Sequence, residues 1–302
     1  MRELTYAQAI NEATDLCMSK DNSVYLMGLG VPDPGGVFGT TLGLQEKYGE
    51  DRVMDMPTAE NGMTGVAIGS AMMGMRPIMT HQRVEFALLA VEQIVNQAAK
   101  ASYVCGSAIP LVIRLIIGRG WGQGPQHSQS LHSWFAHIPG LKVIMPVTPY
   151  DAKGMLITAV RDNNPVIVFE HRWLHSIHGK VPDGDYEVPF GKARLVQEGT
   201  DITIVAMSHM VLEAIRAAAF LENEGVSVEV IDVRSLKPLD QETLIGSVRK
   251  TGRLVVVDLG SKHAGFSSEI VSVVVEQAFD SLKTAPSRIA LPDIPTPASP
   301  AL

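Results

Sequence analysis

The eight residues Pro110-Leu-Val-Ile-Arg-Leu-Ile-Ile117 form a nearly continuous apolar run. A strand that does not alternate apolar and polar residues must be covered on both faces, and parallel sheets flanked by helices provide that cover. Shorter runs of the same kind occur at Val24-Tyr-Leu-Met-Gly28, Val143-Ile-Met-Pro146 and Pro165-Val-Ile-Val-Phe169. Between them lie segments with helical spacing. Thr5 to Lys20 places Ala9, Ile10, Ala13 and Leu16 on one face, and Leu88 to Ala101 and Pro149 to Arg161 read as further helices. Asn61 to Met75 packs glycine and alanine closely enough for one backbone to approach another. This alternation from about residue 20 to 170 predicts an α/β domain with a parallel sheet and helices on both sides.

Residues 179–199 are polar and turn-rich and read as a linker. The alternation then restarts. Strands are expected at Asp201–Ala206, Ser227–Asp232 and Arg253–Val257, with helices at Met210–Glu224, Gln241–Lys250 and Ser267–Phe279. The expected division is therefore 1–178, a linker at 179–199 and a second α/β domain at 200–302. The stretch from Pro286 to Leu302 holds five prolines and reads as extended or wrapped on a partner.

Composition removes several classes of function. Twenty-five basic against 32 acidic residues give a net charge of −7, which disfavours nucleic acid as a partner. No continuous apolar run reaches membrane-spanning length, and the N-terminal residues lack the pattern of a secretory signal. Cys17 and Cys105 form no CxxC pair, which argues against a disulfide scaffold or a zinc site and points to a reducing compartment, the cytoplasm.

Familiar catalytic signatures are missing: the sequence contains no Walker loop, GxSxG or HExxH. The spaced glycines of Gly118-Arg-Gly-Trp-Gly-Gln-Gly124 precede Pro125 rather than a helix start, so they read as a loop bordering a cleft. His127, His132 and His137 are five residues apart and do not share a helical face, so they do not suggest a metal site. Glu60 stands where a small-residue helix begins. A carboxylate there either complements the helix N-terminus or is held for proton exchange with a heteroaromatic ligand.

Ten motifs occur in order along the chain. They are Pro57-Thr-Ala-Glu60, Gly69 to Pro77, Glu92 to Lys100, Gln126-His-Ser-Gln129, Trp134 to Lys142, Pro149 to Gly154, Arg161 to Pro165, Gly199 to Ile204, Asp232 to Asp240 and Thr251 to Val255. Together they resemble the beta subunit of the thiamine-diphosphate-dependent, decarboxylating component of 2-oxo acid dehydrogenases, pyruvate dehydrogenase among them. The resemblance covers nearly the whole chain. It implies a transketolase-like pyrimidine-binding domain followed by a transketolase C-terminal domain.

The resemblance also implies roles. Glu60 matches the glutamate that hydrogen-bonds the aminopyrimidine ring of the cofactor and so promotes loss of the proton from its thiazolium carbon. Phe86 matches the aromatic residue that stacks on the pyrimidine. His127 matches the active-site histidine near the reacting carbon; His137 also fits the pattern, with helix packing as its simpler role. Leu111, Ala159, Asp162 and Asn164 match positions that hold a potassium ion, mostly through main-chain oxygens. The family's Gly-Asp-Gly metal segment is absent, since Asp183-Gly-Asp185 has the reverse order. An alpha subunit is therefore implied to hold the Mg2+ and diphosphate half, in an α2β2 heterotetramer that serves a lipoyl acyltransferase.

Several positions depart from the pattern. Gly28-Leu29-Gly30 and Asp258-Leu259 stand where acidic residues are usual, and Thr80-His-Gln-Arg-Val-Glu85 replaces a more apolar run. The expected reaction is decarboxylation of a 2-oxo acid and transfer of the acyl unit to a lipoyl group. The alternatives are a carboligase with a sugar or other carbonyl acceptor, favoured by the missing acidic positions and by the polar His81-Gln82-Arg83 patch, which suits a hydroxylated or anionic substrate or acceptor, and a non-catalytic structural or regulatory paralogue.

Overall fold

A computed structural model describes residues 1–119 and 122–299. Gly120 and Trp121 of the glycine-rich loop and residues 300–302 of the proline-rich tail lie outside that range.

The first sheet has seven strands in the order Ser235–Lys237, Lys142–Ile144, Val166–His171, Val112–Ile117, Arg76–His81, Val24–Gly28 and Val53–Asp55. All are parallel except Ser235–Lys237, which comes from the second half of the chain and runs antiparallel to Lys142–Ile144. Neighbouring residues feed opposite cores: Ile113 packs into one apolar cluster and Val112 into the other. Both faces of the sheet are therefore covered, as the apolar run at 110–117 requires.

Local sequence explains the flanking helices. Tyr6–Lys20 opens with a capping box, in which the Gln8 amide donates to the Thr5 hydroxyl and the Thr5 amide donates to the Gln8 side chain. Pro149–Arg161 has Thr148 as its N-cap and Pro149 at its first position, and it packs against Tyr6–Lys20. The second sheet orders Ser287–Leu291, Leu254–Ser261, Ile202–Ala206, Val228–Asp232 and Arg194–Gln197, with only the last strand antiparallel.

The structure differs from the sequence reading at several points. The helix expected over Leu88–Ala101 divides into a 3-10 segment at Val84–Ala90, a π-helical turn at Gln93–Ala98 and an α-helix at Ala99–Cys105. Residues 179–199 contribute Arg194–Gln197 to the second sheet, while His178–Val181 pairs with Arg2–Thr5. The tail supplies the edge strand Ser287–Leu291 before its later prolines take over. Arg76–His81 is an inner strand despite Pro77, which sits at its second residue.

Candidate active site

In open α/β sheets, ligands bind outside the carboxyl ends of the parallel strands. Here that edge is formed by Gly28, Asp55, His81, Ile117 and His171, the last residues of their strands. The chain turns tightly after Gly28, where a Cβ would strike the Thr80 carbonyl. Two hydrogen bonds fix this turn: the Gly30 amide donates to Asp55 at 2.8 Å, and Gln82 Nε2 donates to the Leu29 carbonyl at 3.0 Å. Leu29 packs against the adjoining core, so an apolar wall replaces the acid usual there.

Glu60 is the first residue of helix Glu60–Met72, which leaves the edge just beyond Val53–Asp55. The residue is only 4% exposed. Its carboxylate makes no hydrogen bond to any described residue, yet neither oxygen is sealed from solvent. Thr64 Oγ1 donates to the Glu60 main-chain oxygen at 2.7 Å and anchors the first turn. A buried carboxylate is normally paired; this one has no partner among the described residues.

Helix Glu60–Met72 packs against Val84–Ala90, the segment that carries Phe86. The Phe86 ring lies 5.7 Å from that of His127, tilted by 53°. His127 Nδ1 is paired with the Glu85 carboxylate. Arg172, just past the end of Val166–His171, donates through Nη2 to the His127 carbonyl at 2.7 Å and through Nη1 to Gln123 at 3.3 Å. Arg83 lies over the Phe38 ring at 6.0 Å, and Phe38 stacks on His175 at 5.3 Å. Burial lowers the Arg83 guanidinium below its ordinary range, against the opposing effect of Glu85. Burial, and then the charge of Arg83, bring Arg172 down to about 10. Burial brings His81 down to about 4, so its ring is neutral near pH 7.

Behind this surface, a charged network ties the strands together. Arg114 Nε and Nη2 grip Glu170 at 2.5 and 2.9 Å, Arg114 Nη2 also donates to Thr40 at 2.8 Å, and His175 Nε2 lies 3.1 Å from Glu170. Both Arg114 and Glu170 side chains are fully buried.

The three histidines separate, as their spacing implies. His127 joins the Phe86 cluster. His132 pairs with Asp258 at 3.0 Å inside the interface between the two halves, and His137 is exposed in a groove beside Lys237 and Glu269 rather than packed in a helix core. Asp258 also accepts from the Gly260 and Ser267 amides. Its usual acidic neighbour is replaced by buried Leu259.

Leu111, Ala159, Asp162 and Asn164 meet at one corner. The main-chain oxygens of Leu111, Ala159 and Asp162 accept from Val166 N, Asp162 N and Arg76 Nη1, and Lys142 is paired with the Asp162 carboxylate. Arg76 and Lys142 thus place two fixed cations there, and a potassium ion would compete with them. Among the described residues, no group of three or more His, Cys, Asp or Glu side chains gathers as a metal site, and no helix is long and apolar enough to cross a membrane.

Sequence reading missed Arg172, Gln123 and Phe38. A charge placed immediately after a buried strand, as in His171-Arg172, was the available signal, because the carboxyl edge is where ligands bind.

This edge gathers a carboxylate without a partner among the described residues, an aromatic ring and an imidazole. Residues 2–176 match the transketolase pyrimidine-binding domain and residues 191–302 the transketolase C-terminal domain. The chain is 45% identical over 313 residues to the acetoin:2,6-dichlorophenolindophenol oxidoreductase beta subunit of Cupriavidus necator, covering 100% of this chain and 92% of that one. It is 43% identical to the rice mitochondrial pyruvate dehydrogenase E1 component subunit beta-1, covering 98% of this chain and 81% of the relative. The 2-oxoisovalerate dehydrogenase beta subunit of Bacillus subtilis is also 43% identical, with 98% and 91% covered. A split-gene transketolase structure, described as an inactive beta4 tetramer, shares the fold with a TM-score of 0.80 at 23% identity, covering 99% and 91% of the two chains. The chain belongs to the beta subunits of the thiamine-diphosphate-dependent E1 component of 2-oxo acid dehydrogenases, the decarboxylating component that works with an alpha subunit.

Proposed function

We propose that this chain supplies the pyrimidine half of a thiamine-diphosphate site completed by an alpha subunit in an α2β2 heterotetramer. Bound there, the cofactor would supply the electron-sink chemistry needed for a 2-oxo acid to lose carbon dioxide. Glu60 is assigned to the ring nitrogen, where its carboxylate accepts a hydrogen bond and exchanges a proton. Phe86 is assigned to the ring face, and the Leu29 wall excludes water beside it. His127, oriented by Glu85 through Nδ1, is assigned to the substrate at the mouth of the site, holding or delivering a proton there. The unit left after loss of carbon dioxide is assigned to the lipoyl group of an acyltransferase, whose S–S bond would break as the oxidant, one sulfur taking the acyl group as a thioester and the other a proton.

The observation that carries this reading is the Glu60 carboxylate: buried with its residue, unpaired among the described residues and still reachable. Helix Glu60–Met72 supports the shared site. Gly62, Gly65 and Gly69 have nothing within 4 Å of an added Cβ, and Val66 is 55% exposed, which suits close packing by another chain. Mg2+ is assigned to the alpha subunit, because the Gly-Asp-Gly segment is absent here. Any potassium is assigned to the corner of Leu111, Ala159, Asp162 and Asn164, with a higher melting temperature in KCl than in NaCl as its signature. The division into 1–178 and 200–302 is proposed as the two-domain organisation.

Calorimetric titration of thiamine diphosphate with magnesium tests the reading, using this chain alone and with its alpha subunit. Tight binding only with the alpha subunit is expected; tight binding by the isolated chain refutes the divided site. The polar segment at 81–83 favours a second reading, in which the same cofactor and assembly condense the activated aldehyde with another carbonyl compound. Acylation of a lipoyl domain by the purified pair selects the first reading. Aldehyde condensation without such acylation selects the second.

A further inference from the structure

The site described above carries more positive charge than its chemistry with the cofactor uses. Two guanidiniums, Arg83 and Arg172, share its mouth with the carboxylate of Glu85, whose Oε1 is paired with His127 and whose Oε2 is buried without a hydrogen bond. The other polar groups of the 81–83 segment are committed or neutral: Gln82 donates to the Leu29 carbonyl, and His81 is buried with a neutral ring. Arg172 is engaged with the His127 carbonyl and Gln123. Arg83 makes no side-chain hydrogen bond to any described residue; its Nη1 is buried without an acceptor, while Nε and Nη2 remain reachable by solvent.

A half-buried guanidinium without an acceptor is unfavourable unless a ligand supplies one. Arg83 is also held in place for that purpose. It rests on Phe38, Phe38 stacks on His175, and His175 is bound to the Arg114–Glu170 pair. A planar guanidinium fixed on an aromatic platform with two open nitrogens matches the paired oxygens of a carboxylate or phosphate.

We infer that Arg83 is the specificity residue of this site and holds an oxyanion carried by the substrate, with Arg172 adding charge beside it. The oxyanion is the carboxylate of the oxo acid donor or a phosphate on the acceptor. This inference rests on the cofactor reading above, because it places the anion beside Phe86 and His127.

The test uses the alpha–beta pair already loaded with thiamine diphosphate and magnesium, so the diphosphate site is filled. Oxamate, an unreactive carboxylate of pyruvate's shape, and inorganic phosphate are titrated separately by calorimetry. Wild type is expected to bind one of them, Arg83→Met to weaken that anion by about tenfold or more, and Arg83→Lys to retain part of the affinity. Thiamine diphosphate affinity should not change in either variant. Binding of oxamate alone assigns the donor carboxylate, and binding of phosphate alone assigns an anionic acceptor. Equal anion affinity in wild type and Arg83→Met overturns the inference. So does a loaded wild-type pair that binds neither anion. If the wild-type pair fails to take up the cofactor in the first titration, the reading beneath the inference falls with it.

Discussion

Glu170→Gln should destabilise the protein severely while changing its shape very little. The substitution removes the negative charge that Arg114 holds through contacts of 2.5 and 2.9 Å, in a place where neither side chain reaches solvent. The amide retains one oxygen for Arg114. Its NH2 group must then face either Arg114 Nε or the side shared by Arg114 Nη2 and His175, setting donors against donors. Breaking one partner of a buried pair costs about 3–5 kcal/mol, since the remaining charge is left uncompensated. Chains of this order lose about 2–4 °C of melting temperature per kcal/mol, so a fall of roughly 6–20 °C is expected by circular dichroism. An acid arm provides an independent check. Burial alone would raise the Glu170 carboxyl, but the Arg114 charge and the hydrogen bond from His175 outweigh it and hold the group at about 2, against an ordinary 4.5. The contribution of this ionised group is therefore complete above about pH 4.5 and is lost as pH falls toward 2. Glu170→Gln should lack that part of the acid slope. Replacing both partners, as Arg114→Met with Glu170→Leu, should cost less than the single change because no charge is stranded. A loss below about 1 kcal/mol in Glu170→Gln, with an unchanged acid slope, would refute this account of the network.

Three further outcomes are expected. Glu60→Gln should abolish turnover of the alpha–beta pair and leave its assembly intact by size-exclusion chromatography; activity within about tenfold of wild type, roughly 1.4 kcal/mol in barrier, would sink the assignment of Glu60. His127→Ala should lower kcat/KM for substrate while thiamine diphosphate still binds with wild-type affinity, and a parallel loss of cofactor affinity would contradict its placement at the substrate. Gly140→Ala should destabilise by about 2 kcal/mol or more, measured by urea unfolding, because its φ is +96° and its Cβ would overlap the Ala99 carbonyl.

The parts of the fold that could be read from sequence were those where one local pattern decides the outcome. Thr148-Pro149 announces a helix start, and the structure begins a helix at Pro149. The apolar strands at 112–117 and 166–171 needed no partner to be recognised, since burial on both faces leaves few polar residues. The failures have tertiary causes. Arg76–His81 carries a proline and polar ends and is an inner strand only because Val24–Gly28 and Val112–Ile117 pair on either side. Val84–Cys105 has the spacing of one helix, yet the backbone tightens at 84–90 and widens at 93–98, a change that periodicity does not register. In the candidate site, Glu60, Phe86 and His127 were singled out through resemblance. The pairing of His127 with Glu85 and the approach of Arg172 were not, because they join residues more than forty positions apart.

One short strand limits how this chain can be divided. Ser235–Lys237 leaves the second half of the molecule to complete the first sheet along Lys142–Ile144. A fragment ending at residue 178 would bare the amides and carbonyls of that edge, beside a strand whose first four residues are apolar. Such an edge recruits other chains. Expressed alone, the N-terminal half should therefore accumulate as aggregate. The catalytic centre proposed to lie between two polypeptides thus depends on a subunit that cannot itself be cut between its two sheets.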